Sequence, residues 1–481
     1  MKTLSQRSII LFLSLLIAWT LSITLPVHAA AITVNTLTDG TSLNGLCTLR
    51  EAIINANNDA ATHADCSSGS GGDIITFVVA GPITLGGTEM SVTSNITINE
   101  GVGNVTISGG GSSRVFFVSA ASGSLTLNGL ELENGSSTNA GGCILVSTSG
   151  SLTFNNGVIR SCMTTNSGGA IGTTGTVSSI TLSGSMLSDN TSGINGGAIA
   201  QSGTNADLSL TNTTFSNNRA GTATGAQGGA ISYSGQGAGG STFSISGGSF
   251  TSNRAQANSG TNAFGGAIQF TASDASMSGT ISGVTFSGNQ ASGGSSANRG
   301  GAIYKTGVGS LTVSGSSFTG GSAAESGAIY NNQGNLTVTT SRIESNTGGA
   351  YYSVSGGTDS ISQSCIVGNS DTAVVDTEVA NDLAADGGGN IANSNWWGTS
   401  WGPQITAVGG GSAVSNGDSI SGDGFATSGD SIADVHVNLI SPGTDSTAPT
   451  GYWLTTAPTV AGATCMTCSG VSSSGHARSC S

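Results

Sequence analysis

Residues 196–218 read GGAIAQSGTNADLSLTNTTFSNN, and two phrases within this stretch recur along the chain. The first phrase is GGAI or a near copy, and the second is an apolar residue followed by two variable positions and Asn. The apolar residue follows the alanine by 15 to 20 positions, whereas the distance from the asparagine to the next GGAI varies widely. A constant unit with variable inserts is typical of stacked coils, because each coil must match its neighbour while one turn is free to bulge. The alanines of the first phrase are Ala170, Ala198, Ala230, Ala267, Ala302, Ala328 and Ala350.

Within the repeats, apolar residues alternate with polar ones, as in Leu-Thr-Val-Ser at 311–314. A period of two predicts β-strands, and each unit has room for two or three strands joined by glycine-rich corners. No helical pattern long enough for a crossover between parallel strands intervenes. We therefore predict an all-β fold, a right-handed single-stranded parallel β-helix over about residues 74–398, with GGAI and Phe-x-x-Asn repeats at about 168–370.

The asparagine of the second phrase recurs once in nearly every unit. Neighbouring coils are roughly 4.8 Å apart, so amides at one register position can hydrogen-bond up the stack. We interpret these residues as a structural column in preference to a binding site. They are Asn190, Asn218, Asn253, Asn289, Asn346 and Asn369, with Gly321 interrupting the series.

The N-terminus has the layout of a secretory signal over residues 1–31: Lys2 and Arg7, then an apolar run, then small residues. An uncleaved membrane anchor is the alternative. Removing this segment changes the net charge from −14 to −16, because it contains two basic and no acidic residues. Such acidity disfavours nucleic acid and anionic membrane surfaces as partners. We expect a monomer that is secreted or held at the cell surface, with no transmembrane span in the mature chain.

The eight cysteines favour disulfides, because their number is even and the chain carries an export signal. We pair Cys47 with Cys66 and Cys143 with Cys162, while Cys365 has no evident partner.

A short helix predicted near the N-terminus would cover the exposed strand edge of the first coil. Residues 47–53 read CTLREAI, in which Thr48 and Glu51 have the spacing of a capping box. Arg50 and Glu51 are interpreted as cap and surface residues in preference to catalytic ones. We assign 32–73 to this N-terminal cap.

The CTLREAI segment, with Cys66 and the GDIITF run at 72–77, resembles the CSLREA domain of exported bacterial proteins. The GGAI and Phe-x-x-Asn phrases resemble the repeats of polymorphic outer-membrane proteins. Together the resemblances span about residues 32–400 and imply a right-handed β-helix associated with surface display and adhesion. The chain departs from those outer-membrane proteins in lacking a terminal series of alternating amphipathic strands. Free secretion and a truncated chain are therefore alternatives to self-anchoring.

Beyond the repeats, Trp396 and Trp397 lie in an Asn-Trp-Trp-Gly phrase that we interpret as an apolar plug for the last coil, with carbohydrate stacking as the alternative. Residues 399–455 are acidic and rich in Gly and Asp. Solvated loops are the favoured interpretation there, and calcium is the one cofactor that this composition suggests. The calcium candidates are Asp418, Asp423, Asp430 and Asp434.

The tail at 456–481 carries Cys and His at a spacing that would also suit zinc. Disulfides or disorder are the favoured interpretations of this tail.

Many β-helices cleave acidic polysaccharides, but this chain has few carboxylates with which to do so. A hydrolase needs two or more carboxylates that converge on the sugar bond, and a lyase needs a base beside them. Glu131 and Glu133 would share one strand face, yet no basic residue is near them in sequence. Between residues 140 and 340 the acids are Asp189, Asp207, Asp274 and Glu325. A polysaccharide lyase or glycoside hydrolase is therefore the alternative hypothesis, and we assign no catalytic residue.

A binding surface is the favoured hypothesis. Tyr304, Tyr330 and Tyr352 each follow a GGAI alanine by two positions, so in register they would form an outward column of phenols. Lys305 and Asn332 would flank this column, which offers flat faces to sugar rings. Strand stabilisation is the alternative. We predict a non-catalytic adhesin-like, glycan-binding or structural protein whose partner is a polysaccharide, or a glycan or protein of a cell surface.

Overall fold

The computed structural model describes most of the chain between Ala29 and Asn369 and short segments beyond it. The described ranges are 29–119, 123–147, 149–175, 179–204, 206–221, 225–236, 241–258, 260–293, 297–353, 359–367, 369, 374–376, 404–405, 419–422, 459–464, 468–469 and 479–480.

One helix, α1 (Leu49–Asn58), accompanies 48 short strands within these ranges. The first 22 strands are β1 Ala31–Val34, β2 Asp73–Phe77, β3 Gly81–Thr84, β4 Met90–Val92, β5 Asn95–Asn99, β6 Val105–Ser108, β7 Phe116–Val118, β8 Ser124–Asn128, β9 Glu131–Glu133, β10 Ser136–Ser137, β11 Ile144–Ser147, β12 Ser151–Asn155, β13 Val158–Arg160, β14 Met163–Thr164, β15 Ile171–Thr174, β16 Ser179–Ser183, β17 Met186–Ser188, β18 Thr191–Ser192, β19 Ile199–Thr204, β20 Asp207–Thr211, β21 Thr214–Ser216 and β22 Arg219–Ala220. The others are β23 Ala226–Gln227, β24 Ile231–Gln236, β25 Phe243–Ser246, β26 Ser249–Thr251, β27 Arg254–Gln256, β28 Ala263–Phe264, β29 Ile268–Ala272, β30 Ser278–Ser282, β31 Thr285–Ser287, β32 Gln290–Ser292, β33 Ile303–Thr306, β34 Ser310–Ser314, β35 Ser317–Thr319, β36 Ile329–Asn331, β37 Leu336–Thr339, β38 Arg342–Glu344, β39 Tyr351–Ser353, β40 Asp359–Ser362, β41 Cys365–Val367, β42 Val374–Asp376, β43 Gln404–Ile405, β44 Ser419–Gly422, β45 Thr459–Val460, β46 Ala463–Thr464, β47 Cys468–Ser469 and β48 Ser479–Cys480.

Most of the strands assemble into a parallel β-helix, as the repeats predicted, whereas β45 with β46 and β47 with β48 form two separate antiparallel pairs. Sheet I contains β1, β2, β5, β8, β12, β16, β20, β25, β30, β34, β37 and β40, and sheet II contains β3, β6, β9, β13, β17, β21, β26, β31, β35, β38 and β41. Sheet III runs β4, β7, β11, β15, β19, β24, β29, β33, β36, β39, β42, β44, β43, and sheet IV runs β10, β14, β18, β22, β27, β32. The chain visits sheets I, II and III in turn, with sheet IV between II and III in the middle coils.

Successive coils are in register at the GGAI phrase. Ile199 pairs with Ile231, and the amide of Ala198 donates to the carbonyl of Ala230 at 2.9 Å. The apolar residue of each phrase points inward and is buried, and these residues form one continuous core along the column. Stacking of identical phrases therefore builds this core.

The N-terminal segment caps the stack and also contributes its first strand. Thr48 and Glu51 make the predicted reciprocal capping box at α1, and Leu49 and Ile53 of that helix are buried in the core. However, β1 pairs in parallel with β2 in sheet I. The β-helix thus begins at residue 31, earlier than the boundary at 74 that the sequence suggested, because the short Ala-Ile-Thr-Val alternation lies directly behind the predicted signal.

Each coil closes where the second glycine of GGAI meets the residue that follows the ladder asparagine. A Cβ built on Gly229 would lie 1.9 Å from the carbonyl oxygen of Gly266 in the next coil and 2.5 Å from the backbone nitrogen of Arg254. One built on Gly266 would likewise lie 2.0 Å from the carbonyl oxygen of Gly301 and 2.5 Å from the backbone nitrogen of Gln290. Real Cβ atoms do not approach this closely, so only glycine fits. This contact links the two phrases and explains their nearly constant separation.

The ladder asparagines form a buried, hydrogen-bonded column. The side-chain amide of Asn253 donates to Asn289 Oδ1 and to the carbonyl of Phe215, both at 3.0 Å, and its own Oδ1 accepts from Asn218 Nδ2 at 2.9 Å. Beside the column, the Phe215 and Phe250 rings stack with centroids 4.7 Å apart. The amides thus satisfy backbone groups at the turn while the neighbouring rings fill the core.

The interruption at Gly321 has a steric cause. A Cβ at this position would overlap the carbonyl oxygen of Gly327 and lie 3.0 Å from Asn346 Oδ1. The amide N–H of Gly321 instead donates to Asn346 Oδ1 at 2.9 Å. The column therefore continues through backbone where a side chain has no space.

We expect Gly229→Ala to lower the free energy of unfolding by about 3 kcal/mol, because the added methyl group forces two coils apart. Gly72→Ala is the control, since a Cβ at Gly72 meets no atom within 4 Å; its effect should stay within about 0.5 kcal/mol. Denaturant unfolding followed by circular dichroism measures both. Equal stability of the two variants would refute the closure contact.

We expect Asn253→Ala to destabilise the protein by about 3 kcal/mol, because it leaves buried donors on Asn218 and the carbonyl of Phe215 without partners. Asn155→Ala is the control. Its amide donates to Asn128 Oδ1 at 2.9 Å in a half-buried position, and its loss should cost under about 1 kcal/mol. The same unfolding measurement compares them, and a larger loss for Asn155→Ala would contradict the buried column.

Candidate functional site

A groove of about 450 Å³ runs along the outer face of sheet III in the middle coils. The residues that line it are Asn, Gln, Ser, Thr and Ala, and none carries a charge. Such a surface can donate and accept hydrogen bonds without titrating at neutral pH. The groove therefore suits a neutral ligand rich in hydroxyl or amide groups.

The floor of the groove is formed by the side chains of residues that follow each GGAI alanine by two positions and point away from the core. Ala200, Ser232 and Gln269 are register neighbours at this position on β19, β24 and β29. Ser232 Oγ donates to Gln269 Oε1 at 2.7 Å, and Gln269 Nε2 donates to Thr271 Oγ1. These bonds orient the floor amide.

The wall of the groove is formed by residues that directly precede the GGAI phrases. Asn195 pairs with Gln227 by a parallel bridge, and Gln227 pairs with Phe264 where β23 meets β28. The column continues through Arg299 to Glu325. Floor and wall are thus two parallel columns that are spaced by the tight Gly-Gly turn between them.

In the following coils the same two columns fill the groove with large side chains. The wall residue Phe264 stacks on the floor residue Tyr304 with ring centroids 4.6 Å apart. Arg299 lies 4.9 Å above the ring of Tyr330 and pairs with Glu325 at 2.8 Å. The groove therefore lies over the coils whose floor residues are small or amide-bearing, where Ser232 and Gln269 are 8 % and 3 % exposed. In the following coils aromatic side chains fill the same space.

The expected column of tyrosines is stacked, but two of its members are covered. Tyr304 and Tyr330 have centroids 5.5 Å apart, and Tyr330 and Tyr352 are 5.0 Å apart. However, Tyr304 is 8 % exposed and Tyr330 is fully buried, while Tyr352 is half-buried. The three tyrosines are in register as predicted, but Tyr304 and Tyr330 do not form an exposed ridge, because the wall residues Phe264 and Arg299 cover them. Burial raises the pKa of both phenols, so they stay neutral.

Lys305 and Asn332 do not flank an exposed ridge either. Tyr304 points outward, so strand alternation turns Lys305 inward, where it is fully buried. Its Nζ donates to the carbonyls of Gly307, at 3.0 Å, and Gln333. Burial lowers the pKa of Lys305 to about 8. Asn332 is half-buried and donates to Thr306 Oγ1 at 3.2 Å.

The other predicted residues fall into three groups. Cys47 is bonded to Cys66 and Cys143 to Cys162, and Cys365 is also disulfide-bonded. The six ladder asparagines lie in the interior column, away from the groove: Asn190, Asn218, Asn253, Asn289, Asn346 and Asn369. The plug residues and the calcium candidates lie outside the described residues: Trp396, Trp397, Asp418, Asp423, Asp430 and Asp434. Within the described ranges, no three His, Cys, Asp or Glu side chains are placed to hold a metal ion.

Glu131 and Glu133 have a basic partner that the sequence did not indicate. Arg160, one coil further on, forms ion pairs with both carboxylates on the outer face of sheet II. The hydrogen bond to Glu131 raises the pKa of Arg160 further. Glu133 and Arg160 are register neighbours although they are distant in sequence. This charged cluster is separate from the groove.

Sequence reasoning located the floor position but missed the groove. The signal was present, because the residue before each Gly-Gly changes from Asn195 and Gln227 to Phe264 and Arg299. Only the three-dimensional structure shows that the residue before each Gly-Gly lies beside the floor residues of the groove.

No protein-family model, curated protein or solved structure gives a significant match to this chain. The CSLREA and polymorphic outer-membrane resemblances therefore remain sequence-based predictions. Among the residues that the structure describes, no helix has the length and apolar character that a membrane span requires.

Proposed function

We propose that this chain is an exported surface or extracellular β-helix protein that binds a neutral glycan in the groove of sheet III, without cleaving it. The observation that carries the proposal is the uncharged lining, which is made of amides and hydroxyls over several coils. Sugars present repeated hydroxyl groups, and amide and hydroxyl side chains can both donate to and accept from them.

The shape of the groove supports an extended ligand. Floor residues repeat at roughly 4.8 Å from coil to coil, so a chain of repeating units would meet similar groups at successive positions. The aromatic pair Phe264 and Tyr304 closes one end of the groove. The partly exposed ring of Phe264 at this boundary can pack against the apolar face of a sugar.

Export is supported by the disulfides and by the N-terminal signal pattern. Disulfides persist in oxidising compartments, and Cys47–Cys66 and Cys143–Cys162 are both formed. Together with the predicted signal over residues 1–31, they favour an extracellular location, where glycans of a neighbouring cell or matrix are the available partners.

We expect the full chain to be retained by at least one member of a panel of neutral polysaccharides, measured by affinity electrophoresis and calorimetry. Ser232→Tyr should weaken this binding at least tenfold, because it places in the open coil the residue type that closes the groove at Tyr304. Thr312→Tyr is the matched control, since Thr312 is exposed on sheet I; binding should be unchanged. Added salt should have little effect, since the lining is uncharged.

The glycan proposal fails if no polysaccharide is retained, or if Ser232→Tyr binds as well as the wild type. It also fails if retention needs acidic polysaccharides and disappears with salt, because that would point to the charged residues outside the groove.

A second candidate function rests on the Arg160 cluster. Two carboxylates beside an arginine on one face of a β-helix could cleave an acidic polysaccharide, with a carboxylate as the base that abstracts the proton. Arg160, which the ion pairs keep charged, would bind the acidic substrate. Arg160 is 43 % exposed, and Glu131 and Glu133 are 31 % and 17 % exposed, so a substrate can reach them.

If the second candidate is correct, the chain releases unsaturated or reducing sugars from acidic polysaccharides, and Arg160→Ala abolishes this release. Ser232→Tyr is the control and should leave it intact, because Ser232 lies on sheet III. An absence of products from every substrate tested, with and without calcium, would leave the cluster a surface ion-pair network only.

A further inference from the structure

The interior of the coils between β33 and β40 contains a group of buried polar residues that the proposed function does not use. Lys305 and Asn331 are register neighbours on β33 and β36, and both point inward. Asp359 begins β40 of sheet I, in the next coil. Lys305 is fully buried, and Asn331 and Asp359 are 1 % and 6 % exposed. A lysine, an amide and a carboxyl thus share one dry site.

The amide of Asn331 is held directly against the carboxyl group. Asn331 Nδ2 lies 2.9 Å from each oxygen of Asp359 and donates to the carbonyl of Gly334 at 2.8 Å. Its Oδ1 is buried and has no hydrogen-bond partner among the described residues. The carboxyl group is fixed in turn by hydrogen bonds from Tyr351 and Ser353. Asn331 Nδ2 is the donor in both contacts, so Asp359 is the acid that directly touches the nitrogen atom that must leave when the Asn331 amide reacts.

The amine of Lys305 is anchored beside this amide. Lys305 Nζ donates to the carbonyl of Gln333, and Asn331 Nδ2 donates to that of the next residue, Gly334. The carbonyls of Gln333 and Gly334 thus hold Lys305 Nζ and Asn331 Nδ2 close together. The site is narrow, since a Cβ on Gly334 would lie 2.5 Å from the carbonyl oxygen of Gly307, which also accepts from Lys305.

Burial favours the uncharged form of both titratable groups. It lowers the pKa of Lys305 to about 8, although the charge of Asp359 acts in the opposite direction. Burial also raises the pKa of Asp359, against the hydrogen bonds from Tyr351, Asn331 and Ser353. A neutral amine is a nucleophile, and a protonated carboxyl is an acid.

We propose that Lys305 and Asn331 join in an intramolecular amide cross-link, with Asp359 carrying the proton. Nζ of Lys305 attacks Cγ of Asn331, and a new Nζ–Cγ bond forms. Asp359 gives its proton to Nδ2 as the Cγ–Nδ2 bond breaks, and one molecule of ammonia leaves. The carboxylate then takes a proton from Nζ, which restores its starting form. No oxidant or cofactor is consumed.

The cross-link would tie two neighbouring coils of the β-helix by a bond that reduction does not break. Lys305 is the only lysine beyond Lys2, so it is the only side-chain amine in the column that can react in this way. The reaction needs the folded site, because register pairing brings together residues that are 26 positions apart in sequence.

The test is the intact mass of the purified full chain after denaturation and disulfide reduction. We expect a mass one ammonia below that calculated from the sequence of the purified chain. Lysyl endopeptidase should fail to cut the denatured chain after Lys305, and a branched peptide joining Lys305 to Asn331 should appear after digestion with a second protease. A mass equal to that of the sequence, with cleavage after Lys305, would overturn the proposal. Loss of water in place of ammonia would also overturn it, since that would join Lys305 to Asp359.

Three variants separate the chemistry from folding. Asp359→Asn and Lys305→Arg should both retain the full sequence mass, because the first removes the proton carrier and the second the nucleophile. Asp207→Asn is the matched control: Asp207 begins β20 of sheet I far from the cluster, and this variant should still lose ammonia. Because the wild-type measurement stands on its own, misfolding of a variant cannot mask a negative result.

Discussion

The β-helix depends on one steric constraint, the contact between the second glycine of each GGAI phrase and the backbone that follows the ladder position. No side chain fits at this contact. Because the two phrases must meet, the core path between them keeps a nearly constant length, and insertions are confined to other turns. Register, the continuous apolar core and the amide column all follow from coils of equal circumference. In the coil of Cys143 and Cys162, cysteines stand where other coils have the alanine and the asparagine, so a covalent bond replaces their packing.

Much of this architecture could be predicted from sequence, and the reason is periodicity. Repeated phrases fix strand type, inward positions and stacking partners without knowledge of tertiary structure, as the Asn218–Asn253 pairing illustrates. Prediction of side-chain exposure failed where residues from another part of the coil cover the outer face of a sheet. Strand alternation placed Tyr330 outward, and it does point outward, but Arg299 from the wall column covers it. The same alternation implies that Lys305, next to Tyr304, points inward, so the prediction that it flanks a surface ridge was wrong.

Charged and polar residues in this acidic chain act mainly across coils. Arg160 pairs with two carboxylates of the preceding coil, and Arg299 pairs with Glu325 of the following one. Asp359 accepts hydrogen bonds from residues of three other strands. In linear sequence these partners are separated by many residues. Which of these residues lie side by side depends on their positions along the helix axis, and these positions are known only from the strand register.

The paired floor and wall columns limit how a groove of this kind can change. Each coil contributes one floor and one wall residue, so a substitution at either position opens or closes a whole coil. The length of the groove can therefore change only by whole coils, in steps of roughly 4.8 Å. A lineage of such proteins could select partners by length through single amino-acid changes, without altering the rest of the scaffold.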